Sequence, residues 1–195
     1  MSKAEATRKL ILDNAFELVY RRGYQVTSID DIIATTQVTK GAFYYHFKNK
    51  DEMGLAVINE VMYPGMYHSM VQPLLASADP VKEIYAMMKG LLLGNPFFIV
   101  QYGCPAVNLV EEMAPVNEQF RAALHRLIQQ WQEAIQQCVT RGIASGVVRK
   151  GVNAAQVAFF VTAGYSGVRN MGKLMGAKAY QSYLKELKNY LAGLS

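Results

Sequence analysis

The chain is poor in the residues from which catalytic and disulfide-stabilised proteins are built. Cys104 and Cys138 are its two cysteines and neither has a CxxC neighbour, so no disulfide framework is implied. The three histidines, His46, His68 and His125, are scattered, without HExxH or any ligand spacing for a metal. There is no glycine-rich phosphate loop and no GxSxG elbow. Glu111 and Glu112 are adjacent on a presumed helix, where neighbours diverge by about 100°, so they form no paired-carboxylate site and are expected on a solvated face. These gaps argue against an enzyme and imply no cofactor. A long apolar run is also missing: "GLLLGNPFFIV" is short and broken by Asn95 and Pro96, too little to span a bilayer. "MSKAEATRKLI" is charged from its third residue and lacks the core of a signal peptide. A soluble, cytoplasmic protein is expected.

What is present reads as helix. No stretch alternates like a strand between hairpin turns, and 3.6-residue spacing recurs along the 195 residues. The expectation is an all-α fold of about nine helices. The first runs from Ala4 to Arg22 with Leu10, Ile11, Ala15, Leu18 and Val19 on one face, and Gly23 ends it. Ser28 with Asp31 is an acidic capping box for a second helix burying Ile29, Ile32 and Ile33 and ending near Thr36. Thr39 caps a third through His46, and Asn49 with Glu52 begins a fourth, which Pro64-Gly65 should kink or end. Asp79-Pro80, Cys104-Pro105 and Ala114-Pro115 look like further starts. The longest helix then carries Phe120, Leu124, Leu127, Ile128, Trp131, Ile135, Cys138 and Val139 on one stripe. Asn153 caps a helix to about Met175, and a last one holds Tyr180, Tyr183, Leu184, Leu187 and Leu191.

Net charge is +5, with the excess weighted to the first fifty residues. There "TKGAFYYHFKNK", residues 39–50, sets aromatics between lysines. Residues 28–47 have the shape of a helix-turn-helix, whose second helix enters the major groove of DNA N-terminus first. That puts Thr39, Lys40, Gly41 and Ala42 at base edges: Thr39 for a phosphate, Lys40 for guanine acceptors, Gly41 and Ala42 to let the helix sit deep. Phe43 and Phe47, four apart, should face the core, leaving Tyr44, His46 and Lys50 for phosphates. The same pattern also fits a surface helix that packs its aromatics on a neighbour.

Residues 7–58 resemble the DNA-binding domain of the TetR family of bacterial transcriptional regulators. The resemblance rests on "RKLILDNAFELVYRRGY", "TSIDDII" and "VTKGAFYYHFKNKDEM". It implies a DNA-binding domain over 1–48, with Ser28 and Tyr45 joining the residues above at the double-stranded operator. It further implies a ligand-binding and dimerisation domain over 49–195, a homodimer through residues 153–193, a palindromic operator, and release by a small-molecule effector, hence a repressor. The alternative is a helical small-molecule or electrophile-binding protein without meaningful DNA affinity. Two departures stand out: Ile33 replaces the family's usual alanine, and Gln37 its usual turn glycine, so Gln37 is expected in a left-handed conformation.

Met87, Met88, Phe98, Tyr102, Cys104, Met113, Trp131 and Tyr165, with Phe97 and Phe159, are candidates for an apolar, adaptable pocket, although each also fits an ordinary core position. They suit an apolar or aromatic effector. Cys104, before Pro105, is the expected N-cap of the next helix, where the dipole favours thiolate. The segment resembles the Gly-Cys segment of electrophile-sensing members of the family, with Lys173 as the accompanying cation; an inert buried cysteine is the alternative. Ala154, Ala158, Ala163, Gly164, Gly167 and Gly172 form a small-residue stripe suited to close approach by another helix.

Overall fold

The computed structural model describes residues 2–77 and 79–195. Its α-helices are α1 (Lys3–Arg22), α2 (Ile29–Ala34), α3 (Lys40–His46), α4 (Lys50–Ala56), α5 (Tyr63–Met66), α6 (Gln72–Leu75), α7 (Pro80–Lys89), α8 (Pro105–Met113), α9 (Glu118–Ser145), α10 (Ala154–Met175) and α11 (Ala177–Ala192). Short π-helical stretches, Val57–Met62 and Tyr67–Val71, join α4 to α5 and α5 to α6. Counted as one interrupted helix, α4–α6 bring the total to the nine expected, among the described residues. The helix does not end at Pro64: α5 carries it, between two π-helical stretches. Proline removes one i→i−4 bond, and the wider π turns on either side re-pair the backbone and keep it helical.

The caps follow the sequence closely. Ser2 and Glu5 form a capping box on α1, and Ser28 and Asp31 form one on α2. Thr39, Asn49, Asp79 and Asn153 each accept from a first-turn backbone N–H. One expected start is displaced. After Met113 the chain turns through Ala114-Pro115, and Asn117 caps α9 by accepting from Gln119 N and Phe120 N. A side-chain amide satisfies orphan donors that alanine cannot. Leu10, expected in the core, is instead exposed.

The chain divides into two compact units: residues 1–65 with 105–125, and residues 66–104 with 126–195. The core of the first gathers Ile11, Leu12, Ala15 and Val19 of α1 with Ile32, Phe43, Phe47 and Met53. The second is built on Leu74, Ile84, Met88, Trp131, Ile135, Val161, Tyr180 and Leu184. Within it α10 lies close against α11, because Gly164 and Gly172 leave room for the rings of Tyr183 and Tyr180; a Cβ at either glycine would overlap its tyrosine. Part of the small-residue stripe thus serves packing inside the chain. No helix among the described residues is long and apolar enough to cross a membrane.

Candidate nucleic-acid interface and effector core

In the first unit α1, α2 and α3 pack as a three-helix cluster, with the turn between α2 and α3 at Gln37. Gln37 has φ +54°, the single non-glycine with positive φ among the described residues, as expected from its glycine-like position. The faces of α3 divide as read from the sequence. Phe43 and Phe47 are fully buried with ring centroids 5.6 Å apart, and the Arg8 guanidinium lies 4.4 Å over Phe47. Tyr44 and Tyr45 point outward, Tyr45 being 77% exposed.

Thr39 Oγ1 accepts from Ala42 N at 3.2 Å and fixes the start of α3. Lys40 extends beside it, its ammonium 2.9 Å from Asp30 Oδ1, and this hydrogen bond raises its pKa. Both side chains of the pair are exposed, so the pairing is weakly held and readily exchanged for another anion. Gly41 has open space around its Cα, and Ala42 is half-buried. Ser28 is exposed and committed to capping; its hydroxyl and backbone N–H hold Asp31, whose pKa they lower. His46 is half-buried, and its carbonyl accepts from Arg8.

Lys50 lies otherwise than a freely projecting phosphate ligand. Its ammonium donates to Gln25 O at 3.1 Å and sits 4.4 Å over the Tyr24 ring, and the accompanying desolvation lowers its pKa. Glu112, expected on a solvated face, accepts from the backbone N–H groups of Tyr24 and Gln25. The Tyr24 hydroxyl donates to Asp51 at 2.7 Å, and burial is the main reason its own pKa is raised. Sequence reasoning missed this network because its members lie up to 88 positions apart.

The second unit holds the remaining pocket candidates. Met87, Met88, Cys104, Trp131 and Tyr165 are buried, while Phe98 and Tyr102 are half-buried. Met113 belongs to the first unit and is buried there. Phe97 and Phe159 are exposed, so neither is a core candidate. The Trp131 and Tyr165 rings meet edge-on at 5.2 Å. The thiol of Cys104 lies near enough to the Tyr165 hydroxyl to raise its pKa, although burial is the larger cause. That hydroxyl has no well-formed hydrogen bond. Lys173 packs on Gly103, which has φ +69° and whose missing Cβ makes the approach feasible. Arg169, a residue that sequence reasoning missed, is buried here as well. The available signal was that residues 153–172 contain no other charge.

On α10, Phe160, Ala163, Gly167, Met171 and Leu174 recur at helical spacing and are exposed, Leu174 at 84%. Gly167 has nothing within 4 Å of a would-be Cβ. Phe160 leans on Tyr190 of α11 with ring centroids 4.2 Å apart, and the rest of this apolar stripe faces away from its own chain.

A buried aromatic scaffold under a short helix that presents a basic and phenolic face, preceded by a tight turn and a second capped helix, defines a helix-turn-helix DNA-binding protein. The profile described as "Bacterial regulatory proteins, tetR family" matches residues 11–57, and that of "Tetracyclin repressor-like, C-terminal domain" matches residues 80–186. The chain belongs to the TetR family of bacterial transcriptional regulators, proteins that bind DNA and respond to ligands. It is 34% identical over 129 residues to an uncharacterized HTH-type transcriptional regulator of Lactococcus lactis, a match covering 66% of each chain. It is 27% identical over 164 residues to the transcriptional repressor DhaR of Mycobacterium sp. strain GP1, covering 82% of this chain and 79% of that one. A TetR transcriptional regulator of Chloroflexus aurantiacus has the same fold, with a TM-score of 0.88 at 27% identity, over 98% of this chain and 97% of that one.

Proposed function

We propose that this protein is a cytoplasmic repressor that binds a palindromic operator as a homodimer and is released by a small-molecule effector. The observation that carries the DNA-binding half is the division of α3: Phe43 and Phe47 anchor it, while Thr39, Lys40, Tyr44 and Tyr45 remain outside. In this reading Lys40 leaves Asp30 for a base edge, the first turn of α3 enters the major groove, and Tyr44 and Tyr45 meet phosphates. Lys50 acts through Gln25 and Tyr24, supporting the turn after α1. The repressor reading draws on the similarity to DhaR, a transcriptional repressor.

The uncovered stripe on α10 supports a homodimer through residues 153–193, since an apolar face of this kind marks an association surface. The effector enters the second unit among Phe98, Trp131 and Tyr165 and is apolar or aromatic. Cys104 with Lys173 nearby adds an electrophile-responsive route, supported by the packing of Lys173 on Gly103. Selecting bound fragments from a random DNA library tests the central claim. An inverted repeat with half-sites about one or more helical turns apart is the expected result, and failure to enrich any sequence refutes it.

A further inference from the structure

Arg169 is a cation without an anion. It lies on α10 one turn after Tyr165 and is 0% exposed. One terminal nitrogen donates to the Leu91 carbonyl at 2.6 Å and the other to the Tyr180 hydroxyl at 3.4 Å. The rings of Phe98, Tyr165 and Tyr180 surround its guanidinium at 4.4, 5.0 and 5.4 Å. All of these partners are neutral. Among the described residues no Asp or Glu pairs with Arg169, and the groups that raise its pKa are phenols and a thiol. A buried guanidinium is normally compensated by a carboxylate, because carbonyls and ring faces replace lost hydration only in part.

The surroundings share this imbalance. Arg169 Nε, Tyr165 Oη and Trp131 Nε1 are each sealed from solvent without a well-formed hydrogen bond to the protein, and Tyr165 Oη has only the Arg169 guanidinium and the Cys104 thiol close by. Two of the three are donors only, and the third can donate. They belong to one neighbourhood, since Trp131 meets Tyr165 edge-on and Tyr165 faces Arg169. A cluster of donors around one full positive charge is complementary to an acceptor carrying one negative charge. A carboxylate fits this best, because its two oxygens accept several hydrogen bonds and its single charge neutralises a single guanidinium. A dianion would leave one charge uncompensated. The adjoining ring faces of Phe98 and Trp131 suit an apolar remainder.

We propose that the second unit binds a small organic monocarboxylate, with Arg169 as its counter-charge, Tyr165 and Trp131 as further donors, and Phe98 against its apolar part. Phe98 is half-buried, within the segment between Gly94 and Cys104, so it is the member of this cluster that a ligand from solvent would meet first. This deepens the effector-binding reading and rests on it.

Calorimetric titration of the full chain tests the site without reference to DNA. The probes are benzoate and a straight-chain series from propionate to octanoate, against benzamide and hexanol. Saturable uptake of at least one carboxylate is expected, with its neutral counterpart much weaker. Arg169→Met should weaken that uptake by roughly tenfold or more, the loss of one charge-assisted pair. Tyr165→Phe removes an unpaired hydroxyl but keeps the ring; it should weaken carboxylates several-fold and leave hexanol unchanged, and it serves if Arg169→Met does not fold. Uptake of benzamide equal to benzoate, undiminished uptake in both variants, or no uptake of any carboxylate would overturn the proposal. Fluorescence anisotropy on the selected operator separates the two readings. Carboxylate uptake without operator binding refutes the regulator and leaves the site, whereas operator binding without carboxylate uptake refutes the site and leaves the regulator.

Discussion

The Glu112 carboxylate grips two consecutive backbone donors, one oxygen on Tyr24 N at 3.1 Å and the other on Gln25 N at 3.0 Å. Gln25 returns the contact by donating from Nε2 to the Glu112 carbonyl at 3.1 Å. Its neighbours extend the arrangement, because Lys50 donates to the Gln25 carbonyl while stacking over Tyr24. The turn after α1 is therefore held from α8 and from α4 together. Replacing Glu112 with alanine leaves two backbone N–H groups to find water and should cost about 2 kcal/mol. The midpoint of urea unfolding should fall with an unchanged m-value. A midpoint equal to wild type would make the contact dispensable.

Gln37 tests backbone strain directly. At φ +54° a side chain crowds its own carbonyl, and glycine does not. Gln37→Gly should stabilise the first unit by about 1 kcal/mol, less whatever entropy the freer unfolded chain regains. Denaturant unfolding measures it. A loss of stability would mean that the Gln37 side chain contributes more than its conformation costs.

Lys40 and Lys50 should separate in binding experiments. Lys40→Ala removes a side chain held by one exposed ion pair and should weaken operator binding by about 1–3 kcal/mol more than random-DNA binding. Lys50→Ala should weaken both alike and also lower the unfolding midpoint, since its ammonium is engaged inside the unit. An equal loss on all DNA for Lys40→Ala would reassign it to a phosphate.

Two glycines on α10 should behave oppositely. Gly167→Leu meets empty space within the chain, so thermal stability of the isolated fold should persist while sedimentation shows a weakened dimer. Gly164→Leu drives a side chain into Tyr183 and should cost about 1–3 kcal/mol or more of fold stability. A Gly167→Leu protein as dimeric as wild type would move the interface elsewhere.

The cysteines should differ under N-ethylmaleimide. Burial raises the pKa of Cys138, which keeps it as unreactive thiol at neutral pH. Cys104 is also buried, so its modification requires the neighbouring segment to open. Operator release should occur in wild type and be absent in Cys104→Ser. Equal release by both proteins would leave Cys104 as packing alone.

How much of this was legible in the sequence depends on the range of the interaction. Caps at Ser28, Thr39, Asn49 and Asn153 are local chemistry, decided within three residues, and they could be read directly. So could the two faces of α3, because Phe43 and Phe47 repeat at helical spacing. The persistence of helix through Pro64 was hidden, since it depends on whether neighbouring turns can widen. The role of Glu112 was hidden too, because nothing near residue 112 indicates that residues 24 and 25 lack partners. Arg169 is marked in the sequence only as the one charge within residues 153–172; its partners, Leu91, Phe98 and Tyr180, lie too far along the chain to be read beside it.

The tyrosines that fill the space above Gly164 and Gly172 have a consequence for how this sequence can change. Each pair behaves as one site divided between two positions. A methyl group at Gly172 is tolerable only with a smaller residue at 180, and a smaller residue there alone would leave a void over bare backbone. Variation at 172 and 180, and at 164 and 183, should therefore be correlated. Neither member drifts freely, and α10 and α11 evolve as a unit even where their outer faces diverge.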